Sequence, residues 1–163
     1  MRSLKEVQIK KKRVAFFLVV VLVWALAYVA MSPWRTVDDI KFALKHQDVD
    51  TLTELIDFNS IRKSVKDQLI KLTIKQNVLA ATNQDYMRGV MVAAEAHALE
   101  ITPQALCKGA DVDAFETSVS YDGFSRAIVH AKQTETGAYV TFFMKRVGLA
   151  KWKVYDVDLT SLI

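Results

Sequence analysis

The sequence predicts an α+β domain carried behind an N-terminal transmembrane helix. Three observations lead there. Lys10-Lys11-Lys12-Arg13 runs straight into an uncharged apolar stretch over residues 14–31. From Trp34 to Gly109, apolar residues recur at helical spacing between capping signals. Beyond Gly109 the period changes to two, as a half-buried strand requires. Helices followed by such strands read as α+β, here several helices packed on a four-stranded antiparallel sheet.

The apolar stretch, about 18 residues, is at the short end of what spans a hydrocarbon core. Trp24 and Tyr28 lie in its second half and Trp34 follows it, positions suited to a membrane–water interface. Arg2, Lys5, Lys10, Lys11, Lys12 and Arg13 precede it against the single acid Glu6. The positive-inside rule then keeps the N-terminus cytoplasmic. The expected layout is a cytoplasmic basic flank over 1–13, an anchor over 14–31 and an exported domain over 34–163. A cleaved signal peptide is the rival, because Ala25-Leu26-Ala27 fits a small-residue cleavage site. The apolar run continues past Ala27 to Met31, which favours an uncleaved anchor. Both readings export residues 34–163.

Of 22 basic and 18 acidic residues, residues 1–13 hold six and one, leaving 16 and 17 for the rest. The high isoelectric point therefore belongs to the membrane flank. A nucleic-acid binder needs a basic stripe on its folded part, so nucleic acid is not an expected partner. The basic flank suits anionic lipid headgroups instead. Cys107 is the only cysteine, which excludes an internal disulfide and cysteine-based metal clusters. It reads as a small buried apolar residue. About 130 residues follow the anchor, enough for a core without staples.

The elements follow in order. Thr36-Val37-Asp38-Asp39 resembles a capping box opening a helix to about Lys45, and Thr51-Leu52-Thr53-Glu54 a second, for a short helix through Ile56. Asn59 or Ser60 caps a longer helix to about Ala80, with Ile61, Val65, Leu69, Leu72 and Leu79 as its buried stripe. Asn83 caps a helix to about Leu99. Thr102-Pro103 starts a short one that Gly109 ends. Phe115–Tyr121 alternates. Asp122-Gly123 then predicts a two-residue hairpin turn into Phe124–Lys132. Ala138–Val147 and Lys151–Leu159 complete a four-stranded meander. Phe115, Ile128, Phe142, Trp152 and Val154 are the expected sheet core, covered by the long helix around Leu69 and Leu72. By element order this is similar to the cone-like nuclear-transport-factor-2-like and cystatin-like folds.

A closer likeness lies in three stretches: Ser32-Pro33-Trp34 after the anchor, Ile56-Asp57-Phe58-Asn59-Ser60-Ile61-Arg62-Lys63-Ser64-Val65-Lys66-Asp67-Gln68-Leu69, and Trp152-Lys153-Val154. They resemble the bacterial membrane-anchored family catalogued as domain of unknown function twenty-nine thirty-nine. The resemblance implies a bacterial envelope protein and brings no activity, so no functional residue carries over.

The chemistry-bearing residues are few. His46, His97 and His130 are the only histidines, and Glu95-Ala96-His97 lacks the second histidine of a zinc-protease helix. Asp156 and Asp158 alternate on the last strand, a carboxylate pair that fits the charged solvent face of an edge strand. Ser64 and Ser125 lack the glycine context of a nucleophile elbow. Arg62, Lys63 and Lys66 share one side of the long helix. They read as solvated charge or as an anionic contact surface. His97 and Asp156 are the weak pocket candidates. No cofactor is implied. The expected role is a non-catalytic binding or assembly module in the periplasm, anchored in the lipid bilayer and facing an envelope protein partner. The alternative is a small-molecule-binding or enzymatic pocket between helices and sheet.

Overall fold

The structure is a computed structural model describing residues 4–77, 82–109 and 111–159, with the backbone alone over 4–16. Its described elements are α1 (Leu4–Ala30), α2 (Ser32–His46), α3 (Val49–Leu55), α4 (Phe58–Gln76), α5 (Gln84–Leu99), α6 (Pro103–Gly109), β1 (Phe115–Tyr121), β2 (Arg126–Gln133), β3 (Tyr139–Arg146) and β4 (Trp152–Asp158). The strands form one antiparallel meander in the order β1-β2-β3-β4. The fold is α+β, as expected.

Several helix starts differ from expectation. Pro33 sits in the first turn of α2, where its missing N–H costs nothing. Thr36 is therefore inside the helix, and its hydroxyl donates to the Ser32 carbonyl rather than capping. Asp48, not Thr51, caps α3, accepting the Thr51 N–H at 3.0 Å. Asp57, not Asn59 or Ser60, caps α4 through the Ser60 N–H. In both cases an aspartate three residues upstream supplies the acceptor that the helix terminus lacks. Asn83 and Thr102 cap as expected. The expected end of α4 near Ala80, and with it Leu79, lies outside the described residues.

The β1–β2 connection also departs from the two-residue turn. Tyr121 pairs with Ala127, and the Asp122 N–H bonds the Arg126 carbonyl. Gly123 does adopt positive φ, 82°, which suits a residue without Cβ. Pairing of Tyr121 with Ala127 instead of Phe124 is a shift of three residues, and an odd shift reverses the parity of β2. A two-residue turn would face Ile128 inward. The observed register faces Ala127, Val129 and Ala131 inward and leaves Ile128 half-buried on the other side.

The inner face gathers Ala127, Val129, Met144, Trp152, Val154 and Val157. Val37 of α2, Leu52 of α3, and Phe58, Ile61 and Val65 of α4 close over it, so α4 covers the sheet together with α2 and α3 rather than alone. Phe142 and Leu69 pack against this cluster, whereas Phe115 and Leu72 are only half-buried. Cys107 is a free, half-buried thiol at the same cluster.

Helix α2 runs the length of the sheet. At its start, Ser32 meets Trp152. Toward its end, Lys41 donates to Thr117 and Lys45 pairs with Asp113, beside the start of β1. Helix α1 precedes it across a 47° bend, so α1 leaves the domain at the Trp152 end. Every described side chain from Phe17 to Tyr28 is exposed. Among the described residues no single helix is long and apolar enough to cross a membrane. Phe17–Ala30 and Ser32–His46 satisfy that length and composition only as a bent pair.

Candidate functional site

An edge strand leaves a row of backbone groups unpaired and must be protected. β4 is such a strand, and the region around it concentrates the polar contacts of the domain. Just before α4, Ile56 makes a parallel bridge with Val154, and the Asp57 N–H donates to the Val154 carbonyl at 2.7 Å. Two helical turns on, Ser64 donates to the Asp156 carboxylate. A further turn on, the Gln68 amide donates to the Val157 carbonyl and accepts the Leu159 N–H at 2.9 Å. Its nitrogen also reaches the Ser64 hydroxyl at 3.0 Å. Positions 57, 64 and 68 recur at helical spacing, so one face of α4 presents all three. Gln68 offers one donor and one acceptor, which is what a neighbouring strand would offer. The Asp156 carboxylate also accepts the Val157 N–H at 2.8 Å.

Asp57 has a second role. Burial pushes its carboxyl upward, but the Ser60 hydrogen bonds and the Lys145 ammonium at 3.4 Å outweigh it and leave the carboxyl below its usual range. Asp48 is likewise lowered by the Thr51 backbone N–H and hydroxyl.

The start of β4 is equally tied. Trp152 is 1% exposed, and its indole N–H donates to the buried Ser32 hydroxyl at 2.7 Å. That hydroxyl donates to the Val29 carbonyl at 2.6 Å, closing the end of α1 onto the domain. The Arg146 guanidinium lies 4.9 Å from the Trp152 ring centre, and Tyr121 meets the same ring edge-on at 6.3 Å. Burial pushes the Tyr121 phenol upward against the pull of Arg146. The buried Arg146 Nε has no hydrogen-bond partner among the described residues.

The remaining sequence candidates are placed as follows. Arg62 turns its Nε to the Ile101 carbonyl at 2.9 Å, tying α4 to the segment after α5. Lys66 pairs with Glu95 of α5 at 2.8 Å, and this cation holds the exposed Glu95 carboxyl below its usual range. Lys63 is exposed. His97 is exposed near Glu100 and lines an open cleft of about 480 Å³ between α4 and α5, with Leu69, Tyr86 and Val90 on its walls. Asp156 is not on that cleft, so the two pocket candidates belong to different surfaces. His46 stacks on Phe42, and His130 bonds Thr141. The three histidines thus lie on α2, α5 and β2 without a shared site. Among the described residues no group of three or more His, Cys, Asp or Glu is placed to hold a metal ion.

Gln68 and Ser32 were not singled out by sequence reasoning. Each acts through a partner about a hundred residues away, so only the folded chain reveals it. Phe124 and Leu149 were missed too. Leu149 carries a signal, a large apolar residue beside Gly148 where polar residues are usual, whereas Phe124 reads in sequence as the start of a strand and lies in a turn only in the fold.

The three stretches that set this chain apart in sequence therefore meet in space, all against β4. They define a class: an α+β domain whose edge strand is sealed by its long helix and whose first strand-facing contact is made by the residue after an apolar helix. Residues 22–108, from within α1 to near the end of α6, match the family described as protein of unknown function DUF2939, and the chain belongs to that family. The match stops before β1, so Trp152-Lys153-Val154 lies beyond it. Searches of curated proteins and of solved structures found no match.

Proposed function

We propose that this chain is a membrane-anchored bacterial envelope protein, its N-terminus cytoplasmic and its α+β domain periplasmic, acting as a non-catalytic binding or assembly module. One observation carries the reading. The described apolar side chains of α1 from Phe17 to Tyr28 are exposed all along the helix. Exposed apolar surface on that scale is unfavourable in water and favourable in hydrocarbon. The uncharged run extends to Val14 in sequence, and the basic cluster before it favours a cytoplasmic N-terminus. The helix pair bends at Met31, so a span ending there leaves Ser32 and Pro33 to dock on the domain.

A binding role is preferred to a pocket enzyme because large side chains pack between helices and sheet, and the open cleft at His97 lies between α4 and α5 instead. Leu52, Met144 and Trp152 are essentially fully buried there. The test is alkaline carbonate extraction of membranes from cells expressing the full chain, with protease added to intact spheroplasts and intact mass measured on the retained protein. Retention in the membrane, external digestion of residues 34–163 and an uncleaved mass support the proposal. Release by carbonate overturns the anchor, and a mature form starting at Tyr28 overturns it in favour of a signal peptide.

A further inference from the structure

The meander places two hairpin tips, 122–125 between β1 and β2 and 147–151 between β3 and β4, at the same end of the sheet. The Arg146 N–H bonds the Ser125 carbonyl at 2.9 Å, so the tips are neighbours. Phe124 is 93% exposed and Leu149 86% exposed, with Val147 also exposed beside them. Trp152 and its partner Ser32 mark this end as the one from which α1 departs. Around that exit stand the exposed rings of Tyr28 and Trp34, and the Arg35 guanidinium lies 4.2 Å from the Tyr28 ring centre. The apolar tips thus stand at the end of the domain from which the apolar helix departs.

We propose that the two hairpin tips insert Phe124 and Leu149 into the headgroup layer of the bilayer that α1 enters, seating the domain on the membrane surface in one orientation. The inference rests on the anchor reading above. A helix tether alone lets a domain swivel. Two apolar side chains on rigid hairpins beside the tether add shallow contacts that fix its tilt, because apolar groups gain on leaving water and the interface tolerates the polar backbone of a turn. Aromatic rings at Tyr28 and Trp34 suit the same depth.

The test uses the full chain with Cys107→Ser, reconstituted in phosphatidylcholine vesicles containing phosphatidylglycerol. Single cysteines replace Phe124, Leu149, Thr136 or Leu22, each carrying an environment-sensitive fluorophore. Thr136 lies in the β2–β3 loop at the opposite end, and Leu22 lies mid-helix in α1. Lipids with a spin label near the headgroup or at the chain centre report depth. Labels at 124 and 149 are expected to shift to shorter wavelength and to lose intensity chiefly to the shallow quencher. The label at 136 is expected to remain water-like. Labels at 124 and 149 as water-like as that at 136 overturn the proposal, whatever Leu22 reports. Blue-shifted but unquenched labels overturn it too, since protein and not lipid then covers the tips. A label at Leu22 that the deep quencher does not reach overturns the anchor reading separately.

Discussion

The contact between Ser32 and Trp152 can be tested as an energy. The residues are 120 positions apart, and the bond is buried at 2.7 Å. Trp152→Ala removes a side chain that is 1% exposed, together with its packing on Tyr121 and Arg146, and is expected to cost about 3–5 kcal/mol. That change cannot separate packing from the hydrogen bond, so the informative variants are smaller. Trp152→Phe keeps a ring and removes the donor. Ser32→Ala removes the acceptor and strands the indole N–H in the core, a loss of roughly 1–3 kcal/mol. Once Trp152→Phe is made, the serine acceptor has no indole to receive, so Ser32→Ala should cost less. The expected coupling from the double-mutant cycle is about 1 kcal/mol. Urea unfolding of the full chain in detergent micelles, followed by near-ultraviolet circular dichroism, measures it. Strictly additive losses would falsify the bond as a tie between the α1–α2 junction and β4.

The seal on the strand edge gives a second prediction. Gln68→Leu keeps the bulk of α4 but leaves the Leu159 N–H without its partner and the Val157 carbonyl with only the Ser64 hydroxyl at 3.3 Å, and should destabilise by about 1–3 kcal/mol. Hydrogen exchange at Leu159 should accelerate selectively, and an unchanged rate there would mean that another group caps the edge. Asp57 gives a third. Its folded pKa is depressed, so its contribution is fully present above its unfolded value and fades as pH falls through the lower folded value. Between roughly pH 6 and pH 3 the wild-type urea midpoint should fall more steeply than that of Asp57→Asn, and parallel curves would refute the role.

Much of the fold was legible because local rules and tertiary packing agreed. The change from helical to strand period after Gly109 is real and the meander follows it, and upstream of it Asn83 and Thr102 cap their helices as read. The failures are specific. Thr36 and Thr51 look like helix starts, but Pro33 begins a helix earlier and Asp48 supplies a better acceptor than Thr51. Asp-Gly gave the place of the hairpin and the positive φ at Gly123, but not the loop length, and an odd, three-residue shift in register turned Ile128 away from the core. The site was less legible. Arg62 and Lys66 are recognisable as basic residues on one helix, yet the Ile101 carbonyl and Glu95, which hold them, belong to segments whose approach no local pattern encodes.

The stretch from Asp57 to Gln68 reads most distinctively in sequence, and its geometry explains why it is so constrained. Asp57 must end one element and begin another, Ser64 must meet a carboxylate, and Gln68 must match both a strand carbonyl and a strand amide. Those demands fix residue type and spacing at once. They also engage most of the polar atoms concerned: the Gln68 nitrogen donates to Val157 and Ser64 and its oxygen accepts the Leu159 N–H, which leaves little capacity for a ligand. A distinctive motif in this chain is therefore a mark of how the domain holds its edge, and loss of function on changing Ser64 or Gln68 has to be read first through stability. Among the described residues, groups left exposed lie elsewhere, among them Lys63, the face of α5 with Met91 and Val92, and the two hairpin tips. Of these, only the tips stand beside the exit of an apolar helix, and that placement is what makes a bilayer their fitting neighbour.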